Sequence, residues 1–138
     1  MRIRRKKFWL GCWVMVMIFN LSLYGHVFSQ NDVIANVRMA IKTGSSKELS
    51  QYFGDVIVLN FDGEKSNYSK SQAEFVLKDF FRKYEPVDVE YIHQGDSKKG
   101  FKYIMGKYRA ENGSFRIYIL FKKSETTYYV DTMDFTRE

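Results

Sequence analysis

His93 is the only histidine after residue 29, and it lies two residues short of an expected loop, Gly95–Gly100 (GDSKKG). An imidazole there could serve as a general base or as a polar anchor in a pocket. Asp131 interrupts the apolar run Tyr128-Tyr129-Val130. A carboxyl enclosed beside such residues is a candidate acid or base. Tyr84, Tyr91, Tyr103 and Tyr118 stand on elements that alternate or turn with an apolar face. Phenols on that face, together with His93, would line a pocket for a small apolar molecule carrying one polar handle. Each of these residues also has a plainer role. A strand-end histidine can simply be hydrogen-bonded, tyrosine is a good strand former, and a lone acid can sit at a bulge or on a solvated face. His93 and Asp131 are the only catalytic candidates, and the plainer structural role is the expectation for both.

Other chemistries are excluded by composition. The sole cysteine, Cys12, lies near the start of an apolar run and reads as an ordinary residue of that run. The chain beyond it has no thiol for disulfide, nucleophile or zinc. No metal site and no cofactor are expected, because one histidine has no ligand-spaced companions. Asp62-Gly63-Glu64 is too short for a calcium loop. No G-x-S-x-G elbow, glycine-rich phosphate loop or zinc-protease pattern occurs.

The elements that must position these residues follow from periodicity. Met1–Lys7 (MRIRRKK) is basic, Phe8–Phe28 is largely apolar, and Val27-Phe28-Ser29 offers small or branched residues before Gln30. This is the order of a secretory signal peptide, with cleavage expected after Ser29 and export to the periplasm or cell envelope. Left uncleaved, the same run is long enough to anchor the chain with the remainder outside. No other membrane attachment is expected. The formal charge of +6 owes five of its 22 cations to that leader, and no acid precedes Asp32. The mature chain is nearly neutral, which argues against nucleic-acid binding.

Residues 30–138 suit a single domain. Val33, Ile34, Val37, Ala40 and Ile41 have helical spacing, with Gly44 as the stop. Ser45-x-x-Glu48 opens a short second helix. Asp55–Phe61 is a strand, and Asp62-Gly63 a turn. Ser71-x-x-Glu74 caps the longest helix, Gln72–Tyr84, whose stripe holds Ala73, Val76, Leu77, Phe80, Phe81 and Tyr84. Pro86 ends it. The period then becomes two, with Val87, Val89, Tyr91 and His93 on one face. Strands follow at Phe101–Ala110, Ser114–Lys122 and Thr126–Phe135, joined by Asn112-Gly113 and Ser124-Glu125. The order predicts an α+β fold: a long helix packed in a curved antiparallel sheet of four to five strands.

The segment Tyr68–Phe81 (YSKSQAEFVLKDFF), Pro86, His93-x-Gly95, Tyr103-x-x-Gly106 and the Asn112-Gly113 hairpin together resemble a family of secreted Bacteroidetes proteins known as a domain of unknown function. That family looks like a member of the cystatin-like, ketosteroid-isomerase-like (nuclear-transport-factor-like) cone folds. The resemblance implies fold and compartment and supplies no activity, cofactor or site residue. The sequence points first to an exported, non-enzymatic module that binds a small apolar ligand or pairs with a second copy through its sheet face. The alternatives are a structural accessory of an envelope complex, and a small isomerase-like enzyme using Asp131 or His93 with a tyrosine.

Overall fold

The computed structural model describes residues 30–138; the expected leader, residues 1–29, lies outside the described residues. Among the described residues no helix is long and apolar enough to cross a membrane. The order is α1 (Gln30–Thr43), α2 (Ser46–Ser50), β1 (Phe53–Phe61), β2 (Glu64–Ser69), α3 (Lys70–Lys83), β3 (Asp88–Asp96), β4 (Lys102–Ala110), β5 (Gly113–Ser124) and β6 (Thr127–Arg137).

Gly44 stops α1 as expected. At φ +67° it lets Ser45 N–H reach back to Ala40 O and its own N–H to Ile41 O, the paired bonds of a left-handed helix terminus. Ser45 Oγ then accepts the Glu48 N–H and starts α2. The expected cap of α3 needs correction. The helix begins at Lys70, its cap is Ser69, and Ser69 and Gln72 satisfy each other's backbone N–H groups. Ser71 is exposed within the first turn. Glu74 instead accepts a bond from Ser50 Oγ at 3.2 Å, which ties α3 to α2. Nor is α3 the longest helix, since α1 and α3 have 14 residues each.

The sheet has six strands in the order β2-β1-β6-β5-β4-β3, against the four to five expected. The additional strand is β2 (EKSNYS), a polar edge strand without alternation. It pairs with β1 across Asp62-Gly63, where φ values of 53° and 89° make the tight turn that this dipeptide favours. The sheet is antiparallel except at one seam: β1 runs parallel to β6.

Two extra residues reset the alternation. Tyr91 faces Gly106 and His93 faces Met105, so Ile92 is a bulge in β3. Phe121 faces Val130 and Leu120 faces Thr132, so Asp131 is a bulge in β6. Each bulge moves the residues beyond it to the other face of the sheet. In β6 the buried positions accordingly step from Tyr128 and Val130 to Met133 and Phe135. Gly106 makes the β3 bulge sterically feasible, because a Cβ there would drive directly into the Glu90 carbonyl oxygen.

Both long helices cover one face. α1 buries Ile34, Val37, Ala40 and Ile41, and α3 buries Ala73, Leu77, Phe80 and Phe81. Phe80 is the hub, with ring centroids 4.5 Å from Phe135, 5.2 Å from Phe61 and Phe115, and 5.7 Å from Tyr108. Aromatic side chains thus fill the hollow of the sheet where α3 lies.

Candidate functional site

The residues expected to share a pocket fall on two sides of the sheet. Tyr84 and Tyr91 lie on the helix side. Tyr91 donates its hydroxyl to Arg38 O at 3.0 Å, and the Arg38 guanidinium sits 4.9 Å over its ring. Burial pushes the Tyr91 phenol well above its ordinary range, against a smaller opposing pull from Arg38. Tyr84 packs its ring on Phe80 and Phe115 and accepts from Arg137 Nη1 at 3.2 Å. It lines a groove of about 460 Å³ with Phe61, Val76 and Phe80.

His93, Tyr103 and Tyr118 lie on the opposite face, because the Ile92 bulge separates His93 from Tyr91. The expectation that Tyr91 and His93 share a face is therefore corrected. His93 Nε2 and the Tyr103 hydroxyl are 3.0 Å apart, and the Tyr103 ring stacks on Tyr118 at 5.9 Å. Burial, then Tyr103 and Asp134, raise the Tyr118 phenol. Tyr103 takes the place beside Gly95, where any Cβ would meet its hydroxyl. Gly95, expected to open a loop, is therefore a strand residue.

Asp131 sits at the bulge in β6. Its carboxylate accepts from Lys122 Nζ and from Thr132 Oγ1, both at 2.9 Å. The hydrogen bond to Asp131 is the main cause that raises the Lys122 ammonium above its ordinary value. The ion pair and the hydrogen bond hold the carboxylate at the bulge. Asp131 also lines a cleft of about 940 Å³. His93 is not among the residues lining it, so the structure does not bring the two catalytic candidates to one cleft.

That cleft exists because β1 leaves β6. Phe53 pairs with Val130, and the next pair is Val58 with Thr132. Gly54–Ile57 have no β6 partner, and of these Gly54 and Asp55 have no β2 partner either, so their backbone polar groups are left for a ligand or water. Tyr52, Gly54 and Asp55 form one wall, Tyr129 and Asp131 another, and Val33 and Asn36 of α1 a third. The Tyr129 ring rests against Gly54, with ring carbons 2.8 and 2.9 Å from where a Cβ would be. The sequence marks this site only through Gly54-Asp55, which reads as a helix break, and through the doublet Tyr128-Tyr129. The parallel seam joins them across more than seventy residues, and no local pattern signals that pairing. Among the described residues no group of three or more His, Cys, Asp or Glu could hold a metal ion.

The family model for a domain of unknown function (DUF4783) matches residues 34–136. A crystal structure of a DUF4783 protein from Bacteroides ovatus is 32% identical, covers 75% of this chain and 94% of its own, and superposes with a TM-score of 0.72. One from Bacteroides uniformis is 26% identical over 75% of this chain and 95% of its own, with a TM-score of 0.71. An NTF-2-like protein of unknown function from Silicibacter pomeroyi, at 11% identity, covers 82% of this chain and 96% of its own with a TM-score of 0.54; that likeness shows fold alone. No functionally curated protein matches the chain.

Proposed function

The chain belongs to the DUF4783 family, a domain of unknown function on an NTF2-like fold, and from that premise we propose that it is an exported, non-enzymatic binding module. Its ligand occupies the cleft between α1, β1 and β6. One observation carries the reading: a space of about 940 Å³, walled by Tyr52 and Tyr129, at a break in the β1–β6 ladder. The volume is that of small-molecule sites, ~300–1,000 Å³. The carboxylate nearest to a catalytic role is committed to Lys122, which favours binding over chemistry. Export rests on the basic, apolar and small-residue order of Met1–Ser29.

A second reading is pairing of two copies through the outer sheet face. Half-exposed Tyr103, Met105, Tyr118 and Leu120 form a band there across β4 and β5. Native mass spectrometry of the protein isolated from its own envelope tests both. The expected result is a chain starting at Gln30 with a bound small molecule. A dimer without ligand would favour the outer face. A full-length, ligand-free monomer recovered from cytosol would overturn the proposal.

A further inference from the structure

We infer that the cleft takes a neutral saccharide, an inference that rests on the cleft being the binding site. Among the described residues the lining contains no Lys, Arg or His. Its carboxylates are Asp55 and Asp131, and Asp131 is already neutralised by Lys122 at 2.9 Å. Phosphates, sulfates and carboxylates would meet two carboxylates, and the nearby cation, Lys122, is already held by Asp131, so anionic ligands are disfavoured. One uncommitted carboxylate, Asp55, is a strong acceptor for hydroxyl donors.

The remaining lining groups both donate and accept. Asn36 and Gln51 bring amides, and Ser124, Thr126 and Thr127 bring hydroxyls. Gly54 and Asp55, which have no strand partner in β2 or in β6, add backbone polar groups. Such a mixture suits a polyol, whose hydroxyls each donate and accept. It does not suit a purely apolar molecule, whose burial would strand these groups. Tyr129 supplies the complementary feature. Its ring lies close against Gly54, which has no side chain to displace it, and the face of an aromatic ring packs well on the C–H face of a pyranose. Hydroxyl-matching groups around one fixed aromatic platform distinguish a sugar from a lipid, a nucleotide or a metal. The proposed ligand is thus polyhydroxylated, where the sequence suggested an apolar one.

The test uses the full chain on an array of neutral, sialylated and sulfated glycans, with calorimetry on soluble neutral trisaccharides and on spermidine. The expected result is selective binding of neutral glycans. Tyr129→Ala should weaken it at least tenfold, Asp55→Asn several-fold, and the exposed helix variant Lys78→Ala not at all. Circular dichroism and thermal melting check that Tyr129→Ala folds; if it does not, Asp55→Asn and Gly54→Ala carry the test. Binding of soluble trisaccharides indicates recognition of a free sugar, and binding only of immobilised glycans indicates a surface-attached one; either supports the inference. Preference for charged glycans or spermidine, or a non-sugar adduct in native mass spectrometry lost on Tyr129→Ala, overturns the sugar while leaving the cleft as the site. Loss of neither binding nor adduct in the cleft variants overturns both.

Discussion

Tyr108 shows what burial does to a polar side chain in this domain. Its ring is fully buried and its hydroxyl donates to Tyr84 O at the end of α3. Burial, reinforced by Glu85, lifts the phenol well above its ordinary 10.0. Tyr91 is lifted likewise, and Lys122 is raised by its bond to Asp131. Above about pH 10 the unfolded chain releases these protons before the folded one does, so folding stability falls as pH rises. The denaturant midpoint should hold steady between pH 7 and 9 and drop between pH 10 and 12; a flat profile would contradict this. Tyr108→Phe should lower stability at pH 7 by about 1 kcal/mol, the loss of a hydrogen bond to a partly buried carbonyl, and should flatten the alkaline drop. His93 was legible in the sequence as a lone histidine at the end of a strand. Its partner, Tyr103, was not, because a bulge chose the face.

At the scale of elements, the start of α3 and the bend of β3 each turn on one residue. Ser69, with Gln72 answering it, is the cap. Ser69→Ala should cost about 1 kcal/mol, whereas Ser71→Ala should fall within about 0.5 kcal/mol of wild type; urea denaturation of the pair distinguishes the two candidate caps. Both serines begin a plausible motif, Ser69 with Gln72 and Ser71 with Glu74. The choice is tertiary: Glu74 is drawn to Ser50, and the hairpin strand β2 delivers the chain to Ser69. Gly106 opposes the bulge at Ile92, and a side chain there strikes backbone rather than a flexible tip. Gly106→Ala should destabilise by about 2–4 kcal/mol or prevent folding, with thermal melting as the measure. The polar edge strand β2 was invisible to periodicity because neither of its faces is buried, and alternation is a record of burial.

Across the whole molecule, the aromatic hub holds helix to sheet. Phe80 touches rings contributed by β1, α3, β4, β5 and β6. Phe80→Ala should cost about 3–5 kcal/mol, while Phe75→Ala, on the same helix but 68% exposed, should be nearly silent; calorimetric melting of the two variants checks the contrast. The class of fold, the two amphipathic helices and the antiparallel run β3–β6 were set by local patterns: residues three and four apart for helices, two apart for strands, and turn dipeptides between them. These are short-range constraints, carried by neighbouring residues. The side of the sheet on which His93 lies, the bulge at Asp131, the parallel seam between β1 and β6, and the cleft beside that seam were decided only by tertiary structure. They depend on single-residue slips in register and on a contact between chain segments far apart, and neither leaves a periodic trace in the sequence.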